Sequence, residues 1–157
     1  MSKRSTIGLL LLVAAIGTLW FLWPTDESRI RKLFKEGAKA VESRDLDGVM
    51  AKVAFNYRDE HGMTYLYLKE VLKREFQRLS DISIEYEVLN VRVAENTATA
   101  ELDMRVIATS GSDTGYIIGD VRTPLRLRFT LEKERAKWQL ISTEGLEESY
   151  GTRTSVR

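Results

Sequence analysis

Seventeen consecutive residues, Ile7 to Trp23, carry no charge and read IGLLLLVAAIGTLWFLW. Aliphatic and aromatic side chains at this density belong in a bilayer or a core, because water in contact with them is unfavourable. As a helix the run rises about 25 Å against a hydrocarbon core of about 30 Å, the short end of the spanning range. Flanking residues that reach outward, or slight thinning of the bilayer, close the difference. Lys3 and Arg4 precede the run, and Asp26 and Glu27 follow it. The positive-inside rule then predicts residues 1–6 as a cytoplasmic tail and 7–23 as a single-pass helix in the inner (cytoplasmic) membrane, with everything beyond on the outer side. Trp20, Phe21 and Trp23 fall at the far interface, where amphipathic rings are favoured. Two competing readings are a cleaved signal peptide and a buried core helix. Val13-Ala14-Ala15 is a formal cleavage match, but cutting there leaves IGTLWFLW as an exposed apolar end.

About 130 residues follow the run, enough for one domain with one core. At 43% hydrophobic and 30% charged, the chain is outside the range of wholesale disorder. Setting aside Lys3 and Arg4, 22 basic groups face 23 acidic ones. That balance lacks the positive excess that a phosphate backbone requires, so nucleic acid is not expected as a partner. Cysteine is absent, which removes disulfides, thiolate metal sites and thiol nucleophiles together.

Periodicity sets the domain, expected over 24–145. Thr25 is placed to cap a helix whose first turn carries Asp26 and Glu27, and Ile30, Leu33, Phe34, Gly37 and Val41 follow at helical spacing. Leu46, Val49, Met50 and Val53 predict a short second helix after Asp45-Leu46-Asp47-Gly48. Phe55 to Arg58 reads as a short extended piece, and Asp59, Glu60, His61 and Gly62 as a polar loop. A third helix is predicted from Thr64 to Leu79, with Leu68, Val71, Leu72, Phe76 and Leu79 on one face.

After Ser80 the period drops to two. Ile82, Ile84, Tyr86 and Val88 alternate with polar residues, then the apolar set shifts to Leu89, Val91 and Val93, which predicts a bulge near Val88. A turn at Glu95-Asn96 leads into Ala98 to Ala108, a Gly-rich loop from Gly111 to Gly115 leads to Leu125 to Leu131, and a charged turn leads to Trp138 and Leu140. The expected architecture is α+β: about three helices packed on a strongly bent antiparallel sheet of at least four strands. Keeping every apolar set on one face predicts pair sums of about 191, about 229 and about 269 across the three connections. Leu102 then neighbours Leu89 and Leu127, Phe129 neighbours Leu140, and Asp103 and Glu101 face Arg126 and Arg128. Residues 146–157 lose the alternation and read as a partly disordered tail.

A helix ending before Asp45-Leu46-Asp47, the Tyr57-Arg58-Asp59 stretch, the long third helix, the bulged strand and the closing Lys137-Trp138-Gln139-Leu140 occur here in one order. In this order the chain resembles the nuclear-transport-factor-2-like (cystatin-like) superfamily over about residues 28 to 145. The resemblance implies a cone of bent sheet around helices with an apolar pocket at its wide end. Members include isomerases, dehydratases, hydrolases and many noncatalytic domains, so function stays open. Membrane-tethered assembly components of type IV secretion systems are similar in layout, without a shared motif.

No catalytic constellation emerges. His61, the single histidine, has no serine or cysteine beside it in a nucleophile motif, and with Asp59 and Glu60 it lacks the spacing of a zinc site. Asp103 sits where family isomerases hold a pocket carboxyl, but its parity with Glu101 and Arg105 places it on the polar face. The glycines at 111, 115 and 119 lack the strand, loop, helix order of a phosphate site. Tyr57, His61, Tyr65, Tyr86 and Trp138 are the candidate pocket residues, as hydroxyl and ring donors over an apolar wall, with core and rim packing as the plain alternative. No metal and no cofactor is expected. The expected function is a noncatalytic interaction domain, tethered outside the cytoplasm, that binds an envelope protein or pairs with itself. The alternative is a pocket for a small apolar ligand, with lyase or isomerase chemistry.

Overall fold

The computed structural model describes residues 24–146, together with Ala14. No helix among the described residues is long and apolar enough to cross a membrane. The expected span from Ile7 to Trp23 lies outside them apart from Ala14, and so does the tail after Leu146.

Helix α1, Asp26–Glu42, starts at the predicted cap. Thr25 is extended, and its hydroxyl accepts from Ser28 N at 3.2 Å, satisfying a donor that the first turn leaves free. Ile30 and Ala40 are buried on the side facing the sheet, while Lys32, Lys35 and Glu36 point to water. Helix α2, Leu46–Met50, is capped by Asp45, whose Oδ1 accepts from Gly48 N at 2.9 Å. A Cβ at residue 48 would overlap that carboxylate, so the cap needs glycine there. Helix α3, Tyr65–Arg78, buries no residue completely. Its apolar face is divided, with Phe76 packing at one end of the sheet and Tyr65, Leu68 and Leu72 against α2.

Five antiparallel strands follow: β1 Leu79–Ala94, β2 Thr97–Ser110, β3 Asp113–Ile118, β4 Leu125–Glu134 and β5 Lys137–Glu144. The order is β1-β2-β4-β5, with β3 pairing the second half of β2. The expected α+β arrangement is therefore found, with one strand more than the periodicity resolved. Gly111 and Ser112 make a tight turn between Ser110 and Asp113. The chain returns along β2 as far as Ile118 before crossing to β4, in place of the single loop expected over this region.

The register across β2 and β4 is the expected one. Leu102 lies opposite Leu127, Asp103 opposite Arg126 and Glu101 opposite Arg128. Arg126 grips Asp103 in a fork, Nε to Oδ1 at 2.8 Å and Nη2 to Oδ2 at 3.1 Å. Arg128 reaches Glu101 at 3.0 Å. Val91 pairs Ala100 as expected, but the bulge falls at Leu89, so Leu102 lies opposite Val88 and not Leu89. The last hairpin differs from the expected sum by two residues near the turn, where Leu131 pairs Leu140, and by three beyond a bulge at Ile141, where Phe129 pairs Thr143. The cause is a two-residue turn in which Arg135 and Ala136 both adopt positive φ, 47° and 68°. Left-handed backbone at two such residues leaves no glycine or asparagine signal to locate the turn.

The main core lies between α1 and the inner face of the sheet. Ile30, Leu102 and Leu131 are completely enclosed, and Phe129 and Trp138 join them in one cluster, with the Phe34 ring tilted against Phe129 at 5.2 Å. The polar face expected for Asp103 is also found: Asp103 and Glu101 stand on the outer side with their arginines. Replacing Leu102 by Ala removes contacts on every side of the central strand, and urea unfolding is expected to show a loss of about 2–5 kcal/mol with the native fold retained.

Candidate functional site

The five candidate residues fall into separate surroundings. Tyr57 is buried with Met50 and Val53 beneath α3. Burial holds its phenol above the ordinary tyrosine range, and the nearby Asp59 charge adds to the rise while a hydrogen bond with Thr143 opposes it. Tyr65, at the start of α3, packs against the same cluster, with its ring 5.3 Å from Phe55. Tyr86 and Trp138 belong to the main core instead. His61 is exposed, with Nε2 3.5 Å from Glu60 Oε1.

Asp59 organises the loop that carries His61. Its Oδ1 accepts from His61 N at 2.9 Å and Met63 N at 2.7 Å, and its Oδ2 is buried without a hydrogen-bond partner. Glu60 ties the same loop to the end of β5 by accepting from Gly145 N at 2.8 Å. Among the described residues, no group of three or more His, Asp or Glu side chains is placed to hold a metal ion.

Trp138 is held by a residue that sequence reasoning placed only as a dipole partner. Asp26 accepts from Trp138 Nε1 at 3.1 Å and from Lys133 Nζ at 2.9 Å, joining the first turn of α1 to β4 and β5. The ammonium also lies 5.7 Å from the centre of the indole. These hydrogen bonds, Lys133 first and Trp138 second, hold the Asp26 carboxyl below its ordinary range, with burial opposing.

One depression lies outside the core. A groove of about 510 Å³ runs beside β5, lined by the buried Met50 and Val53 together with Phe55, Tyr65, Glu132 and Glu134. Phe55 is 78% exposed. The segment after α2 holds it there: Leu140 N donates to Lys52 O at 2.8 Å, Ala54 N to Leu140 O at 2.9 Å and Arg58 N to Ile141 O at 2.9 Å. The extended piece expected at Phe55 to Arg58 is instead a turn at Phe55 and Asn56, closed by Tyr57 N donating to Ala54 O at 3.0 Å, with isolated bridges at Val53 and Arg58 on either side. Of the sequence candidates, Tyr65 alone lines the groove; Phe55, Asn56, Glu132, Glu134 and Gln139 were not identified. The available signal was Phe55 itself, a large ring following Val53-Ala54 where the short helix has already ended.

No protein-family model matches the chain, and no curated protein matches it. Solved structures do. A conserved protein from Planctomyces limnophilus aligns with a TM-score of 0.65 at 14% identity, covering 75% of this chain and 92% of that one. An NTF-2 like protein of unknown function from Shewanella oneidensis gives 0.56 at 14% identity, covering 76% and 97%. The fold is that of the nuclear-transport-factor-2-like domains. A ketosteroid isomerase-like protein from Erwinia carotovora atroseptica shares it, with a TM-score of 0.59 at 15% identity over 74% of this chain and 91% of that one. In this chain, the space between α1 and the inner sheet face holds Ile30, Phe34, Phe129 and Trp138.

The Asp26 interactions set an acid response. The folded pKa lies below the unfolded value of about 3.9, so the stabilisation is complete above that value and is lost as pH falls through the folded pKa. Asp26→Asn is therefore expected to lower the urea midpoint at pH 7, and the gap to the wild type should close as the pH is taken below about 3.9. A gap that is constant from pH 7 to the acid limit would contradict this.

Proposed function

We propose that this chain is a noncatalytic interaction domain, tethered to the inner membrane by Ile7 to Trp23 and exposed outside the cytoplasm, acting through protein-protein contacts. The observation that carries the protein-binding part is the placement of apolar surface. The interior is occupied by packed side chains, whereas Phe55, Leu66 and Tyr67 are 78%, 63% and 56% exposed around the start of α3. Large exposed rings in one region mark contact surfaces more often than they mark chemistry. The tethering part rests on the uncharged run and on Lys3 and Arg4 before it. It agrees with the position of α1, whose cap at Thr25 comes two residues after Trp23.

A second reading, a pocket for a small apolar ligand, has in its favour the ketosteroid isomerase-like neighbour. A ligand entering the cone would displace side chains around Trp138 and change its emission, whereas binding at the outer groove would not.

The full chain is expected to sediment with membranes and to resist high-salt extraction, because burial of seventeen apolar residues exceeds surface attraction. Protease added after opening the outer envelope, with the inner membrane intact, should digest the domain; protection would reverse the orientation. Crosslinking in native membranes should yield a complex larger than the monomer, and a monomer at every crosslinker concentration would sink the interaction reading.

A further inference from the structure

We infer that the groove beside β5 takes an extended, basic peptide segment of a partner protein, with an Arg or Lys side chain held between the Glu132 and Glu134 carboxylates and the Phe55–Tyr65 ring pair. The inference rests on the protein-binding reading above and names the surface and the chemistry of the partner.

The groove carries negative charge with no cation beside it. Elsewhere on the sheet and on α1, Asp103 is paired with Arg126, Glu101 with Arg128, Asp26 with Lys133 and Glu36 with Lys52, while Glu42, Glu87 and Asp113 form no ion pair among the described residues. Glu132 and Glu134 form no ion pair among the described residues, and no Lys or Arg lines the groove. They stand two residues apart on β4 and so project from the same outer face. Glu132 accepts only from the neutral Asn56 amide, at 3.2 Å.

In the same groove, Phe55 and Tyr65 offer π surfaces, which attract a cation by the same sign of field. The lining is apolar at Met50 and Val53, at 4% and 6% exposure, and suits the aliphatic stem of a long basic side chain or a neighbouring apolar residue. An apolar small molecule would leave both carboxylates unmatched. The groove is open to solvent along the sheet, so an extended chain can lie in it without a lid closing.

The probe is a fluorescent eight-residue Ser-Gly peptide with a central Leu-Arg-Leu, titrated by anisotropy into the full chain in mild detergent. It should bind roughly tenfold more tightly than its Leu-Glu-Leu counterpart, with the preference shrinking as salt rises. Phe55→Ala, and Glu132→Gln with Glu134→Gln, should each weaken binding roughly tenfold with far-UV dichroism and unfolding midpoint unchanged, since all three side chains are exposed. Equal binding of the two peptides, or unchanged binding by both variants, would overturn the assignment. If the crosslinked membrane complex persists in those variants, the groove assignment falls and the protein-binding reading stands; if no complex forms in the wild type, that reading falls as well. Tighter peptide binding on removal of 147–157 would show that this chain's own segment with Arg153 and Arg157 occupies the groove, and would overturn the partner assignment. So would peptide-driven dissociation of a homodimer.

Discussion

Every pairing in the sheet except the last hairpin passes through β2. One edge pairs β1 along nearly the whole length of β2, and the other is shared in sequence by β4 and β3. The alternation of this strand therefore fixes both faces at once: Ala98, Ala100 and Leu102 enter the core, and Glu101 and Asp103 stand outside. A slip of one residue would exchange these sets, placing carboxylates against Ile30 and leucine in water. The arginines of β4 add a second constraint, because the fork from Arg126 closes on Asp103 in one register only.

Once β2 and β4 are set, the remaining elements are positioned from the edges. Asp26 fastens α1 to the β4–β5 end through Lys133 and Trp138, and Glu42 accepts from Ile84 N at 2.9 Å at the β1 side. The helix is thus held across the sheet at both ends, above the cluster containing Ile30. The Lys52 to Arg58 segment covers the outer edge of β5 by backbone hydrogen bonds. Covering an edge in this way removes a template for uncontrolled strand addition, and here it also holds Phe55 out into solvent beside the groove.

The parts that were legible in the sequence are those governed by neighbours along the chain or by strict alternation. Thr25 was legible as a cap because its oxygen meets an amide group three residues on, which is local geometry; Asp45 caps in the same way, but the second helix was expected to begin after the Asp45-Leu46-Asp47-Gly48 turn and begins within it, at Leu46. The β2–β4 register was legible because apolar parity and two opposite-charge pairs agreed on it. The last hairpin was not, since Arg135 and Ala136 take left-handed backbone without the residues that normally advertise it. Strand β3 was hidden because Gly111 and Gly115 resemble a loop, while its partner, the far half of β2, was already counted with β4. The candidate aromatic residues were offered together as one pocket lining, because sequence could not divide Tyr57 and Tyr65 from Tyr86 and Trp138, which pack in separate clusters.

The sequence by itself determined the α+β order, the Thr25 cap, the facing of β2 on β4 and the uncharged run at the N-terminus, because each depends on spacing within one segment or on one pattern of alternation. The tertiary structure decided the location of the groove. Its walls come from the end of α2, the start of α3, β4 and β5, which are brought together only by the pairing of the 52–58 segment with β5. Whether Phe55 is a core ring or an exposed one depends on that pairing, and no property of residue 55 or its neighbours in sequence encodes it.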